Sequence, residues 1–278
     1  MLEVIFKYTF LQNAILSALL ASIVCGIIGT IVVEKKLVMM SGGIAHTSFG
    51  GIGLGYLLNI EPILGALFFS LISSLAIATI RRKTNTNSDT LIGIFWAMGM
   101  ALGILFIAFT PGYPPDISSY LFGDILTVSK LDLKIIAVLA SLIIFFILAF
   151  FNYWKAYLFD EEFLSVLGIN TLLLDYFLFI MIALTIVVLI RVVGIILVIA
   201  LLTAPPAIAR LYTYNLKRMM NLSVFLGIIF SFSGLWLSYY FNVSSGATII
   251  LLAGATYMVS AIVRGKILSR SSKELCEE

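Results

Sequence analysis

At 278 residues, 62% of them hydrophobic and 11% charged, with a mean hydropathy of +1.14, the chain lies far outside soluble globular domains, where charged residues make up about a quarter. A water-soluble enzyme or binding module is excluded, and the backbone must satisfy itself inside a bilayer, which only helices and closed barrels do. The apolar runs are too long and continuous for barrel strands of about 10 alternating residues, so the expected class is all-α, a polytopic helical membrane protein.

At about 20 apolar residues per crossing, the sequence predicts nine transmembrane helices, near 9–33, 37–58, 62–80, 91–110, 133–152, 171–190, 193–209, 221–238 and 246–263. The net charge of +3 says less than where the charges fall. With the N-terminus outside and the C-terminus cytoplasmic, thirteen of the seventeen Lys and Arg residues face the cytoplasm, as the positive-inside rule requires. Only Lys7, Lys130, Lys134 and Arg191 fall outside. The narrowest boundary separates the sixth and seventh spans, where Arg191 and Gly194 alone interrupt the apolar run. Cys25 lies in the first span and Cys276 in the tail, so a disulfide between them is not expected. Residues 1–278 read as one transmembrane domain, with 264–278 a charged cytoplasmic tail.

The second span, LVMMSGGIAHTSFGGIGLGYLL (37–58), is crowded with small and polar residues. Gly42, His46, Gly50 and Gly53 share one helical face, and such glycines either let helices approach closely or leave room beside a pathway. Gly99 and Gly103 repeat the pattern in the fourth span. His46 is the sole histidine, and an ionisable side chain at that depth is a functional candidate. Imidazole suits zinc and related metals, although a hydrogen bond to a neighbouring carbonyl would also account for it. A closed zinc site needs three or four converging ligands, and none stands near in sequence.

The outer connection 111–132 begins with a proline-stiffened turn and continues as a short helical segment. Its apolar Leu121, Phe122, Ile125 and Leu126, with Asp124, read as an extracytoplasmic docking element or gate, or as a plain interfacial helix. At 159–170, FDEEFLSVLGIN, the acidic residues read as a solvated turn, with Gly168 stopping a helix. Asp175 is the one carboxylate well inside a span. In 191–220, an apolar run meets Pro205-Pro206 and continues as a basic segment. The prolines are expected to end or kink the helix. Beyond them Arg210 and Lys217 share one face while Leu211 and Tyr212 lie on another. This forms an angled surface helix for a soluble partner, or one lying on anionic lipid. A phosphate loop, GxxxxGK[ST], is absent, as is HExxH.

Taken together, SGGIAHTSFGGIGLGYLL (41–58), SDTLIGIFWAMGMALGILF (88–106), YLFGDILTVSKLDL (120–133), FDEEFLSVLG (159–168), RVVGIILVIALLTAPPAIARL (191–211) and SSGATIILLAG (244–254) resemble the permease subunits of ATP-binding-cassette importers for zinc and manganese, the ABC-3 family. The resemblance implies a multi-pass subunit of the cell membrane paired with a second copy of itself. It also implies a cytoplasmic ATPase that uses the ATP, a solute-binding protein outside, and no cofactor on this subunit. His46 would contact a divalent ion, Gly42, Gly50 and Gly53 would line the pathway, and Pro205, Pro206, Arg210, Leu211, Tyr212 and Lys217 would couple to the ATPase. Family members commonly carry aspartate four residues before this histidine and another before the last span; here those positions hold Gly42 and Asn242. A different solute or metal chelate carried by the same architecture is the alternative, and a stand-alone secondary transporter is a further one.

Overall fold

The computed structural model describes residues 8–83, 88–112, 120–121, 123 and 125–277. Among these there is no strand. The helices run α1 (Thr9–Glu34), α2 (Val38–Leu57), α3 (Pro62–Lys83), α4 (Ser88–Ala108), a 3-10 turn (Ile125–Thr127), α5 (Lys130–Ala149), α6 (Phe151–Phe159), α7 (Glu161–Val166), α8 (Thr171–Val193), α9 (Ile195–Tyr212), α10 (Leu216–Phe241) and α11 (Ser245–Glu277). Each of the nine expected apolar segments is helical, yet among the described residues seven runs are long and apolar enough to cross a membrane by length and composition. α2 is not one of them, since its glycines, hydroxyls and His46 dilute its apolarity. Thr171–Tyr212 forms one such run of 42 residues, divided where Gly194 takes φ 78° and ψ 163°.

The helix ends are written locally. Asp160 accepts from the Phe163 amide at 2.8 Å to start α7, Asn170 accepts from Leu172 and Leu173 to start α8, and Ser129 with Asp132 forms a capping box on α5. Gly168 stops α7 as expected: it sits at φ 76°, and the Gly168 and Ile169 amides return to the Ser165 and Leu164 carbonyls, the reciprocal pattern of a Schellman stop. Asn242 ends α10 at φ 54° and ψ 46°, a left-handed conformation that Asn and Asp tolerate better than most residues.

α1 and the α8–α9 run form the interior, 67% and 72% buried over their most apolar windows, whereas α4 and residues 245–265 of α11 are only 22% buried. α2 packs between α3 and α4, α8 joins that trio to the rest, and α1 holds α9 and α10 on one side and α5 on another.

Pro205 and Pro206 neither end the helix nor start a surface segment; both are buried inside α9. They leave the Leu201 and Leu202 carbonyls without their i+4 donors. α1 closes on this point at Gly29, where a Cβ would collide with the Leu202 carbonyl oxygen and lie 2.8 Å from Pro206 Cγ. The chain turns later, at Thr213–Asn215, where Thr213 is extended and Asn215 caps α10 through the Arg218 amide. Residues 205–220 are therefore two helices, with Ile208, Leu216 and Met219 buried.

Candidate ion pathway and basic face

The glycines of α2 and α4 set the first element of the site. A Cβ at Gly53 would lie 2.5 Å from the Gly103 carbonyl oxygen, one at Gly50 2.9 Å from that of Gly99, and one at Gly99 2.5 Å from Thr47 Cα. Thr47 Oγ1 also donates across the crossing to the Phe95 carbonyl at 3.1 Å. Gly50 and Gly53 thus do not line an open route within the chain: they are consumed by helix contact. Gly42 meets a ring instead, with a Cβ there 3.6 Å from Trp96 Cζ3.

That contact places Trp96 flat on His46, ring centroids 4.0 Å apart and planes 10° from parallel. His46 is half-buried, and its Nδ1 is buried with no hydrogen-bond partner among the described residues. The carbonyl hydrogen bond that would have given this histidine a plain structural role is not made by Nδ1. Among the described residues no three His, Cys, Asp or Glu side chains converge as a metal cage.

At the end of the bundle away from the Lys- and Arg-rich loops, Arg191 at the close of α8 pairs with Asp132 at 2.8 Å and Glu61 at 3.1 Å. The segment after the outer turn packs into this end. Tyr120 bonds Tyr56 at 3.2 Å, Leu121 lies against the core, Ile125 is buried, and Asn13 donates to the Val128 carbonyl at 3.1 Å. Gly123, at φ 68°, is pressed on Val193 and Gly194, where a Cβ would collide with both backbones. Burial, then the Tyr56 hydrogen bond, hold the Tyr120 phenol above the usual tyrosine range. Of the docking or gate residues expected here, Leu121 belongs to this inserted segment; Phe122 and Asp124 lie outside the described residues.

At the basic end, Asp160 and Glu162 are exposed, as a solvated acidic turn requires, but Glu161 between them is engaged. Glu161 bridges Lys35 at 2.8 Å and Arg82 at 2.9 Å, and Arg82 Nε reaches Asp175 at 2.6 Å. The Tyr157 hydroxyl donates to the other Asp175 oxygen, and Lys35 Nζ stands 3.5 Å from the Tyr157 ring centroid. Burial first, and then the hydrogen bond to Asp175, raise Tyr157 above the ordinary tyrosine value. Arg210 joins the same end to α1, 3.3 Å from Glu34 and from the Val33 carbonyl. The network ties α1, α3, α6, α7, α8 and α9 together. From it α7 projects an uncovered apolar edge, with Phe163 55%, Val166 85% and Leu167 58% exposed.

The coupling residues expected around Pro205 separate on this geometry. The two prolines are interior, Arg210 is engaged within the chain, Leu211 is partly exposed, and Tyr212 is 53% exposed. Lys217 is exposed but borders an apolar groove of about 330 Å³ with Ile27, Ile144 and Met220.

A family model described as the ABC 3 transport family matches residues 7–264. The chain belongs to that family. As an ABC 3 member it is 45% identical over 258 residues to an uncharacterized membrane protein of Synechocystis sp., covering 93% of this chain and 92% of the other. It is 32% identical over 278 residues to the manganese transport system membrane protein MntC of Listeria innocua, covering 99% of both. In three dimensions it is similar to a chain of PsaBC from Streptococcus pneumoniae in complex with Fab, with a TM-score of 0.83, 32% identity and 93% of each chain covered. This ABC 3 protein is a multi-pass membrane protein. Trp96, Glu161, Lys35, Arg82 and Tyr157 went unread as site residues, because each acquires its role from a partner on another helix.

Proposed function

We propose that the chain is the membrane-spanning permease of an ATP-driven importer for a divalent metal ion, with manganese the first candidate and zinc the second. The observation that carries this reading is similarity along 99% of the chain to a protein named as a manganese transport membrane protein. The nine helical segments then serve as nine crossings, with α8 and α9 separated at Gly194 and α2 shielded by α3 and α4. The Lys- and Arg-rich end faces the cytoplasm. Two copies assemble around the pathway, a solute-binding protein delivers the ion to the Arg191 end, and ATP is bound and hydrolysed by a separate cytoplasmic subunit. Uptake of manganese by vesicles holding the complete assembly tests this directly.

An exposed apolar edge at the basic end supports a second place for the ATPase to grip. α7 stands on a charged scaffold and exposes Phe163, Val166 and Leu167, so these residues are the principal contact, joined by Leu211 and Tyr212 from the end of α9. Truncating a buried interface anchor commonly costs at least about 2 kcal/mol, roughly thirtyfold in affinity. Phe163→Ala and Val166→Asp are expected to weaken co-purification with the ATPase by at least about tenfold, Leu211→Ala to a lesser degree, and Lys217→Ala little. Normal recovery of the ATPase with both α7 variants would remove α7 from the interface.

A further inference from the structure

We infer that Trp96 is a positioning residue for the transported ion: its indole face fixes the plane of the His46 imidazole, so that the ion is met by one edge in one orientation. This rests on the proposed role of His46 as the ion contact and extends it to a residue on a neighbouring helix.

The stack is built rather than incidental. Trp96 lies one turn before Gly99, and His46 one turn before Gly50, the two glycines that bring α4 and α2 backbone to backbone. Thr47, next to His46, is hydrogen-bonded to the Phe95 carbonyl, next to Trp96. The crossing therefore sets both Cα positions, and Gly42, one turn before His46, faces the far edge of the indole, where a Cβ would lie in ordinary contact 3.6 Å from Trp96 Cζ3. Near-parallel rings 4.0 Å apart cover one face of the imidazole. A metal approaches an imidazole nitrogen in the plane of the ring, so face contact leaves the coordinating edge free while restricting rotation about the side-chain bonds.

The chemistry explains why such a restraint matters here. A metal-bound histidine is ordinarily oriented through its second nitrogen by a carboxylate or carbonyl. No such acceptor holds Nδ1 of His46 among the described residues, and no set of three metal-ligating side chains surrounds it. Orientation by an aromatic face takes the place of orientation by a hydrogen bond. It adds no negative charge, so a dication is guided without being held tightly, which suits a step that must release it.

The test separates positioning from packing by making the same change with and without the histidine, in the assembled transporter. Trp96→Leu is expected to raise the half-saturating concentration for manganese uptake about two- to tenfold, the range of an aromatic pair, with basal ATPase activity and assembly unchanged. Trp96→Phe should recover most of that loss. In a His46→Ala background Trp96→Leu should change nothing further. With Trp154 and Trp236 replaced by Phe, the fluorescence of Trp96 should be quenched by paramagnetic manganese when His46 is present, and much less when it is Ala. Equal effects of Trp96→Leu with and without His46, or failure of Trp96→Phe to restore affinity, would overturn the inference. If His46→Ala itself left uptake intact, the ion-contact reading would fall instead, so the two failures are distinguishable.

Discussion

Replacing Asp175 by Ala is expected to cost about 3–5 kcal/mol, the range for removing one partner from a buried ion pair, and to lower the yield of folded protein sharply. Asp175 is 5% exposed and receives both Arg82 and Tyr157. Its loss leaves a guanidinium without its closest counter-ion and a buried hydroxyl without an acceptor. Asp175→Asn keeps the shape and one acceptor oxygen, so it should cost less than Ala. Glu161 lies further out, at 38% side-chain exposure, and an exposed pair contributes little to stability. Glu161→Ala is accordingly expected to leave folding nearly unchanged while loosening α7. Denaturation of the purified permease, followed by size exclusion, orders the three variants. Equal stability of Asp175→Ala and wild type would show that the network adds nothing to the fold.

The second large effect falls on His46. His46→Ala is expected to reduce uptake at low ion concentration by at least about tenfold, the lower bound for disturbing the shell around a bound metal, while assembly and basal ATP hydrolysis persist. The wild type should also lose uptake on the acid side of neutrality. Imidazole ordinarily titrates near 6.5, and its protonated form has no lone pair for a metal. His46→Gln removes the titrating group, and its residual uptake should be flat over the same range. Full uptake by both variants would leave His46 as a packing residue.

Much of the architecture was legible because it depends on local chemistry. Apolar length marked the helices, Gly168 announced a stop, and Gly194 divided the longest run. The small-residue face of the second span was legible as well, but its use was not: Gly50 and Gly53 meet Gly99 and Gly103 on α4, so close packing rather than an open lining consumes them. The prolines misled because the rule against proline in a helix concerns its own hydrogen bonds. In α9 the helix nonetheless continues through both prolines, and α1 approaches at Gly29 without a side chain to obstruct the contact. Within the acidic turn, Glu161 alone misled, for another reason. Glu161 finds Lys35 and Arg82 at sequence separations of 126 and 79 residues, and nothing near Glu161 in the chain signals them. Trp96 reads as one more aromatic in an apolar helix until α4 is laid against α2. A faint signal existed in its spacing, one turn ahead of Gly99 on the glycine-bearing helix.

The departures at Gly42 and Asn242 also take on physical content. Asn242 holds a left-handed helix stop, a conformation open to Asn and Asp alike, so its place before the last helix has a backbone reason independent of any ion. Gly42 faces the indole edge of Trp96, 3.6 Å from where its Cβ would be. At that turn of α2 the His46 imidazole faces an indole and no carboxylate stands beside it in sequence.

The measurement that bears most directly on the central claim is ion uptake by sealed vesicles containing the permease, its ATPase and its solute-binding protein, with a panel of divalent cations offered one at a time. The account predicts ATP-dependent accumulation of manganese, or of zinc if the solute-binding protein selects it, lost in the His46→Ala assembly and absent without the ATPase. Accumulation that proceeds without ATP, or a complete assembly that hydrolyses ATP yet moves none of the cations, would contradict it.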